Sequence, residues 1–295
     1  MLQQKFVDLF AKTSDVSLPV AERDVVLTYA LRALTDVGLL EHLVFKGGTC
    51  LRKMFLGRSG RFSEDLDFTA AGVSDPDHLI LTVAEAFAGR SYYGITYTVS
   101  AEDLYVREDR QACGARVGYA HAWNPAAQFT LDVSLREEPV LGVQTVPMLS
   151  DSYFKHLEIE PPIITTLRFE ELVAEKIRAA YQRHTVRDIY DLHLLCQRPF
   201  DRNLVRNLAV LKLWSASDTF DPDRFFTGLE SERYDWSDLT RLVRRDRRPE
   251  PRTVIARCLD GYSFLRNLSA DEAELARDAH RRRRDLYQRI VRGYR

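Results

Sequence analysis

The chain has 295 residues, of which 45% are hydrophobic, and a formal net charge of −1. This composition predicts a packed protein of one large or two modest domains and excludes a largely disordered chain, which would need fewer apolar residues or a larger net charge. The charge is uneven, since residues 239–295 contain 16 arginines, no lysine and 8 acidic residues. A basic tail beside an acidic body indicates an anionic partner such as nucleic acid, unless the arginines reflect only a compositional bias.

The first predicted elements are a helix and a short strand. Residues 19–37 place apolar side chains at helical spacing, with a proline in the first turn and a glycine directly after the end, and so predict an amphipathic helix. Residues 43–45 are apolar and predict a buried strand. Two glycines end this strand, residues 50–55 predict the start of a helix, and a loop is expected at residues 57–60.

Further strands are predicted before the middle of the chain. Residues 92–99 and 114–121 have strand character, and residues 128–135 alternate between apolar and polar side chains. The alternation places Asp132 on the polar face of its strand. An aspartate inside a strand is unusual, because aspartate is depleted there.

The pattern becomes helical after Pro161 and Pro162. Residues 169–183 and 187–196 predict two helices, and the chain beyond residue 199 is mostly helical with a loop near residues 247–252. We therefore divide the chain into two domains, residues 1–155 and residues 156–295.

Targeting and zinc signals are missing from the sequence. The N-terminus has no signal-peptide hydrophobic region, and no stretch of about 18 apolar residues could span a membrane. The four cysteines lie far apart and show no zinc-ligand spacing. We expect a cytoplasmic protein with no membrane partner.

The segment Lys46-Gly47-Gly48-Thr49 lies between the predicted strand and the predicted helix. Glycines let a backbone approach a phosphate closely, a helix N-terminus offers free N–H groups, and Thr49 adds a hydroxyl. These features predict a nucleotide-binding loop. The alternative interpretation of the two glycines is a simple turn.

Two acidic residues follow this loop on one face of a predicted strand. Asp65 and Asp67 would lie roughly 7 Å apart at their Cα atoms. Carboxylates at this spacing suit Mg²⁺, which takes carboxylate and phosphate oxygens. With Asp132 they predict a centre for two Mg²⁺ ions, one activating an attacking hydroxyl and one binding a triphosphate. Ser63 shares the alternation and should contact the NTP phosphates. The alternative is a solvated strand edge.

Charged residues on the predicted helices form another candidate group. Lys176 is the only lysine of an acid-rich helix and could hold a triphosphate or could lie in solvent. Asp188 and Asp191 are three residues apart and share a helix face. They could orient Lys176, an arginine or a nucleobase, or form structural ion pairs.

Two of these motifs, in this order, resemble the AbiEii/AbiGii family of nucleotidyltransferase toxins, which includes the mycobacterial MenT branch. Residues 45–53 read Phe-Lys-Gly-Gly-Thr-Cys-Leu-Arg-Lys, and residues 61–68 read Arg-Phe-Ser-Glu-Asp-Leu-Asp-Phe. The segments around Lys176 and at residues 187–192 are similar to later motifs of the family. The resemblance covers residues 43–195.

The resemblance implies an α+β fold, with a polymerase-β-like nucleotidyltransferase lobe on a mixed sheet and a mainly helical C-terminal lobe. Gly48, Thr49, Asp65 and Asp67 match the family's signature residues, and Lys176 matches its triphosphate-side lysine. The final acidic role falls to Asp188 or Asp191, and the motif leaves that choice open.

The resemblance also implies a toxin that transfers nucleotides from an NTP to the 3′ acceptor end of tRNA, blocking aminoacylation, and that has a cognate antitoxin. The basic tail, with its run of four arginines (Arg281, Arg282, Arg283 and Arg284), would contact RNA phosphates. Phosphorylation of Ser63, or of Thr49 as a competing acceptor, would add charge beside the metal ligands and silence the enzyme. The alternatives are transfer to a protein hydroxyl or small molecule, and a non-catalytic RNA-binding partner.

Overall fold

The chain folds into two units of different secondary structure. The computed structural model describes residues 2–73, 75–157, 159–230 and 234–294. The first unit comprises Met1–Glu138, Val143–Thr166 and Arg241–Asp246, and the second comprises Pro139–Gly142, Leu167–Thr240 and Arg247–Arg295.

A mixed sheet forms the centre of the first unit. Its strands are β1 (Leu43–Lys46), β2 (Leu66–Ala70), β3 (Ser91–Tyr92), β4 (Ile95–Thr98), β5 (Leu104–Val106), β6 (Ala112–His121), β7 (Asn124–Ser134), β8 (Val143–Pro147) and β9 (Ile163–Leu167). Their spatial order is β3-β4-β6-β7-β2-β1-β9-β8, and β5 pairs with β6. The β2–β7 and β1–β9 pairs are parallel, whereas β1–β2 and β6–β7 are antiparallel. The predicted mixed sheet is confirmed.

Strands β2 and β7 alternate between apolar and polar residues, and the apolar run of β1 is buried, as their sequences predict. Phe45 and Phe68 are fully buried and face each other across β1 and β2, with ring centroids 5.2 Å apart. Leu131 and Val133 of β7 are also fully buried. Because alternate side chains point to opposite faces, the polar residues between these apolar residues share the other face. That face carries the candidate site.

In the residues that the structure describes, the α-helices of the first unit are α1 (Gln4–Ser14), α2 (Leu18–Asp36), α3 (Gly47–Cys50) and α4 (Pro76–Phe87). Helix α2 matches the predicted residues 19–37 within one residue at each end. Helix α3 begins at Gly47, three residues before the predicted start at residue 50, and a π-helical turn at Leu51–Leu56 continues it.

Two sequence interpretations of strands were wrong. Residues 92–99 form two short strands, β3 and β4, because the chain reverses at Tyr93 and Gly94, both of which have positive φ. Residues 163–167 form strand β9, although the prolines before them indicated a change to helices. A strand of five residues is too short for its alternation to stand out beside the long helix that follows.

The second unit is mainly helical, as predicted. Its helices are α5 (Phe169–Arg183), α6 (Val186–Leu195), α7 (Arg202–Ser215), α8 (Pro222–Glu230), α9 (Trp236–Thr240), α10 (Pro251–Gly261), α11 (Ala270–Arg277) and α12 (Arg284–Arg292). A buried lysine of α7, Lys212, joins it to α5 through Glu171 at 2.6 Å and Glu175 at 3.3 Å.

A buried ionic cluster ties α2 to the turn that follows α3. Arg52 Nε donates to Asp24 Oδ1 at 2.9 Å, and Lys53 Nζ lies 3.2 Å from the same oxygen. Lys53 also donates to the Asp24 carbonyl and to Thr28 Oγ1, each at 2.8 Å. Burial alone would raise the pKa of Asp24, but the two cations hold that pKa below its ordinary value. The cluster therefore fixes the π-helical turn to the body of the unit.

Replacing Asp24 with asparagine should destabilise the protein by about 3 kcal/mol, because removing one partner leaves buried charges uncompensated. The measurement is the free energy of unfolding in urea. Asp36→Asn is the matched control, since it removes the charge from a half-exposed ion pair with Arg32 on the same helix and keeps an oxygen that can accept from the Tyr93 hydroxyl. That pair should contribute less than about 1 kcal/mol. Equal stabilities for the two variants would contradict the role given to the cluster.

Candidate active site

Polar residues form a row across three adjacent strands of the first unit. Lys46 of β1 pairs directly with Asp67 of β2, and Asp67 pairs directly with Asp132 of β7. Residues that pair directly across strands project from the same face of a sheet. Asp65 lies immediately before β2 and shares the alternation of Asp67. The structure thus brings together the three acids that the sequence predicted to be neighbours.

The pKa of Asp132 reflects electrostatic interaction with the other two carboxylates of the row. Burial raises the pKa of Asp132 to about 6, and the negative charges of Asp67 and Asp65 add to the rise. Lys46 acts in the opposite direction. Carboxylates that repel one another attract a divalent cation, because the cation offsets their negative charges.

Gly47 gives the Asp67 carboxylate room to lie against the backbone. Gly47 has φ of 78°, a left-handed conformation that glycine adopts without strain. A Cβ built on it would lie 2.6 Å from the carboxyl carbon of Asp67 and 2.7 Å from Asp67 Cβ. Both backbone conformation and space therefore require glycine here.

Gly48 is covered by two side chains from the segment before β2. A Cβ on Gly48 would lie 2.6 Å from a guanidinium nitrogen of Arg61 and 3.0 Å from Ser63 Oγ. Ser63 therefore lies at the glycine turn, and its contact with the NTP phosphates stays a prediction. Arg61 is buried and donates to the carbonyl of Phe62 at 3.1 Å. Sequence reasoning missed Arg61, although its position two residues before Ser63 puts it on the same alternation.

The hydroxyl of Thr49 makes a hydrogen bond within the protein. Thr49 is buried, and its Oγ1 donates to the main-chain carbonyl of Asp65 at 2.5 Å. This bond ties the glycine turn to the first acid of the row. Thr49 thus positions Asp65, while its predicted contact with a phosphate stays a prediction.

A distant segment holds the chain just before Asp65. The backbone N–H of Phe62 donates to the carbonyl of Leu242 at 2.7 Å. Arg241 binds both carboxylate oxygens of Glu64, at 2.7 and 3.1 Å. A separation of 177 residues gives no sequence signal, so this support was not predicted. Bidentate pairing fixes both distance and orientation.

In the second unit, Lys176 is held by both candidate acids. Its Nζ lies 3.1 Å from Asp188 Oδ1 and 2.7 Å from Asp191 Oδ2, and all three residues are buried. Asp188 also accepts from Arg183 at 2.9 Å and from Thr185 at 2.8 Å. Lys176 is therefore not a solvated surface lysine, and the two aspartates orient it together.

The arginine run at residues 281–284 divides into two pairs. The Arg281 guanidinium lies over the Trp214 ring, 4.8 Å from its centroid, and Arg283 pairs with Glu274. The side chains of Arg282 and Arg284 are exposed. Two arginines of the run thus have local side-chain partners, and the other two face solvent.

The carboxylate row suits an ion that completes its shell with phosphates. Among the residues that the structure describes, no three His, Cys, Asp or Glu side chains, the three acids of the row included, form a group that could hold a metal ion by themselves. Mg²⁺ is usually held by one or two carboxylates together with water and substrate phosphates. An open row of paired acids beside the Gly47–Gly48 turn fits that requirement.

Comparison with known proteins agrees with this geometry. A family model described as "Nucleotidyl transferase AbiEii toxin, Type IV TA system" matches residues 29–289, most of the chain. The chain belongs to this family. Among solved structures, the nucleotidyltransferase toxin MenT4 from Mycobacterium tuberculosis H37Rv is similar over 100% of both chains, with 27% sequence identity and a TM-score of 0.85. A search of curated protein sequences found no match.

The AbiEii membership confirms the family predicted from the glycine turn and the acids that follow it. The protein is a nucleotidyltransferase toxin of a toxin–antitoxin system. In the part of the chain that the structure describes, no helix has the length and apolar character needed to cross a membrane.

Gly47→Ala should strongly reduce nucleotide transfer, because the new methyl group displaces the Asp67 carboxylate. The left-handed backbone should also lower stability by roughly 1–2 kcal/mol. Gly89→Ala separates the two effects, since Gly89 has φ of 66° and a Cβ added to it would meet nothing within 4 Å. Transfer from a radiolabelled NTP and urea unfolding are measured for both variants. Full activity in Gly47→Ala would show that Asp67 needs no such space.

Proposed function

We propose that this toxin transfers nucleotides from an NTP to the 3′ acceptor end of tRNA in a Mg²⁺-dependent reaction. The observation that carries the proposal is the row of Asp65, Asp67 and Asp132 beside the Gly47–Gly48 turn. The family supplies the reaction class, nucleotidyl transfer. The tRNA acceptor, the metal and the consequence, blocked aminoacylation, are the parts that experiment has to establish.

The carboxylate row would hold the magnesium, and the turn would hold the phosphates. Asp65, Asp67 and Asp132 supply the oxygen ligands that Mg²⁺ prefers. When bound, the ion would neutralise charge on the triphosphate and lower the pKa of the attacking hydroxyl. The backbone N–H groups of the turn would bind the phosphates, because the Asp67 carboxylate fills the space beside Gly47 and the Arg61 and Ser63 side chains fill the space beside Gly48.

Cations and a hydroxyl surround the turn and fit a triphosphate. Ser63 Oγ and the Arg61 guanidinium lie directly over Gly48. Lys46 lies in the same row as the acids and offsets their charge. We propose that these three side chains bind the NTP phosphates and so orient the reacting phosphorus atom.

We propose that Lys176 also serves the triphosphate, the role that its family motif implies. Its two aspartate partners, Asp188 and Asp191, keep the ammonium in one position. A cation that is already oriented loses little conformational freedom when a phosphate binds.

The basic C-terminal region supports an RNA acceptor. Helix α12 begins at the last arginine of the run, Arg284, and carries Arg289 and Arg292 in its last turn. Phosphate contacts by lysine and arginine dominate RNA affinity, and the single-stranded 3′ end of tRNA is accessible to a protein site. Transfer to a protein hydroxyl or to a small molecule would need no such region. A protein that only binds RNA would not need three acids placed where they repel one another.

Asp67→Asn and Asp65→Asn should each lower nucleotide transfer by on the order of 10²-fold or more, the usual effect of removing a preorganised charge from an active site. Purified protein is incubated with Mg²⁺, each radiolabelled NTP in turn, and total tRNA, total protein or an aminoglycoside as acceptor. Asp109→Asn is the control, since Asp109 is an exposed acid of the same unit. Near-normal turnover in a folded Asp67→Asn protein would refute the metal assignment, and label in protein alone would refute the tRNA acceptor.

Removal of Arg282 and Arg284 should weaken tRNA binding and flatten its salt dependence by about 0.7–0.9 in log–log slope for each lost phosphate contact. These two are chosen because Arg281 and Arg283 have local partners. Affinity is measured between about 50 and 200 mM salt, a range that resolves such slopes. The control is Arg107→Ala/Arg110→Ala, which removes two exposed arginines of the first unit. If the two double variants show equal salt-dependence slopes for tRNA binding, the arginine run is a solvated surface that makes no specific phosphate contacts.

We also propose that phosphorylation of Ser63 inactivates the toxin, as a kinase-type antitoxin would achieve. A phosphate of about −1.5 to −2 charges at Ser63 Oγ would lie against Gly48, where it competes with the NTP. Thr49 is a poorer acceptor because it is buried. Mass spectrometry after co-expression with the neighbouring gene product would locate the phosphate. Full activity of protein stoichiometrically phosphorylated at Ser63 would end this hypothesis.

A further inference from the structure

One oxygen of Asp132 is bound by a tyrosine that lies two strands away. The Tyr105 hydroxyl donates to Asp132 Oδ1. Tyr105 is on β5, and it pairs directly with Gly114 of β6, which in turn pairs directly with Asp132 of β7. The row Lys46–Asp67–Asp132 therefore continues through Gly114 to Tyr105 on the same face of the sheet.

Gly114 makes the hydrogen bond possible because it has no side chain. A Cβ on Gly114 would lie 2.5 Å from Tyr105 Cζ and 2.6 Å from the carbonyl oxygen of Leu131. The tyrosine ring thus occupies the space above the glycine, where any other residue would put its own side chain. A glycine within a strand is unfavourable unless a close approach requires it, and here the approaching group is Tyr105.

The position of Tyr105 does not suit a purely structural role. The residue is 39% exposed and lies on a strand of only three residues at the margin of the sheet. Burial of so exposed a ring contributes little to the stability of the fold compared with burial of a core aromatic such as Phe129, which is 2% exposed. The hydrogen bond to the active-site acid is its distinguishing contact.

We propose that Tyr105 is a positioning residue for nucleotide transfer, which fixes the Asp132 carboxylate by its hydrogen bond across Gly114. The bond occupies Oδ1 and leaves Oδ2 as the oxygen with which Asp132 would hold the metal. This inference rests on the proposed function of Asp132. Ligand-orienting groups of this kind change metal affinity or activity by about 10–100-fold when they are removed.

The test is Tyr105→Phe, which keeps the ring and removes only the hydroxyl. Mn²⁺ binding is titrated by electron paramagnetic resonance in the presence of a non-hydrolysable NTP analogue, and kcat and KM are measured with Mg²⁺. We expect Mn²⁺ to bind about 10-fold more weakly and kcat to fall, with little change in KM for the NTP. Tyr92→Phe is the matched control, since it removes a tyrosine hydroxyl bond to the Ala86 carbonyl, 3.0 Å long, in the same sheet.

Asp132→Asn distinguishes failure of this inference from failure of the proposed function. If Asp132→Asn abolishes transfer while Tyr105→Phe keeps wild-type kcat and Mn²⁺ affinity, Tyr105 does not position the acid. If Asp132→Asn is itself fully active, the metal-centre assignment fails. If Tyr92→Phe loses as much kcat and Mn²⁺ affinity as Tyr105→Phe, the effect comes from a general loss of order in the sheet. That result would overturn the inference.

Discussion

The packing of the central strands is the constraint on which the candidate site depends, because it holds three mutually repelling carboxylates on one face of the sheet. Asp67 and Asp132 are paired across parallel strands, and the charges of Asp67 and Asp65 both raise the pKa of Asp132. Left alone, such charges would move apart. The register of β2 between β1 and β7 prevents this, because a shift of one residue would turn Asp67 towards the core and Phe68 towards solvent. Burial of Phe45, Phe68, Leu131 and Val133 therefore fixes the positions of the acids.

The segments around the row are held by contacts of a different kind. Thr49 binds the carbonyl of Asp65, and Arg241 binds Glu64 next to it. Behind the glycine turn, Arg52 and Lys53 anchor the following turn to Asp24 on α2. Each contact uses a polar group that a substrate could otherwise attract, and each is satisfied within the unit. Ser63 and Arg61 lie at the turn itself, where we propose that they bind the NTP phosphates.

Local patterns were sufficient to predict the central part of the site. The alternation at residues 65–68 and 128–135 predicted which acids share a face, and the glycines predicted the turn beside them. Neither Arg241 nor Tyr105 carried a comparable signal, because their contacts depend on strand order and on a segment far along the chain. The hairpin at Tyr93 was missed since a non-glycine residue with positive φ is uncommon. The burial of Lys176 was equally hidden, because a single lysine among acidic residues usually indicates a solvated helix face.

The direction of the Asp132 pKa shift connects stability with function. A carboxyl group whose pKa rises from 3.8 to about 6 on folding binds more protons in the folded state than in the unfolded state between those values. Its contribution to stability is therefore lost as pH rises through this range, and at neutral pH the charged row opposes folding. The buried Asp24 differs, because Arg52 and Lys53 lie against it and hold its pKa below the ordinary value. At Asp132 the pKa stays raised, first by burial and then by the charges of Asp67 and Asp65, although Lys46 acts in the opposite direction. A divalent ion bound to the row, as we propose, would offset this repulsion and would therefore stabilise the folded protein at neutral pH.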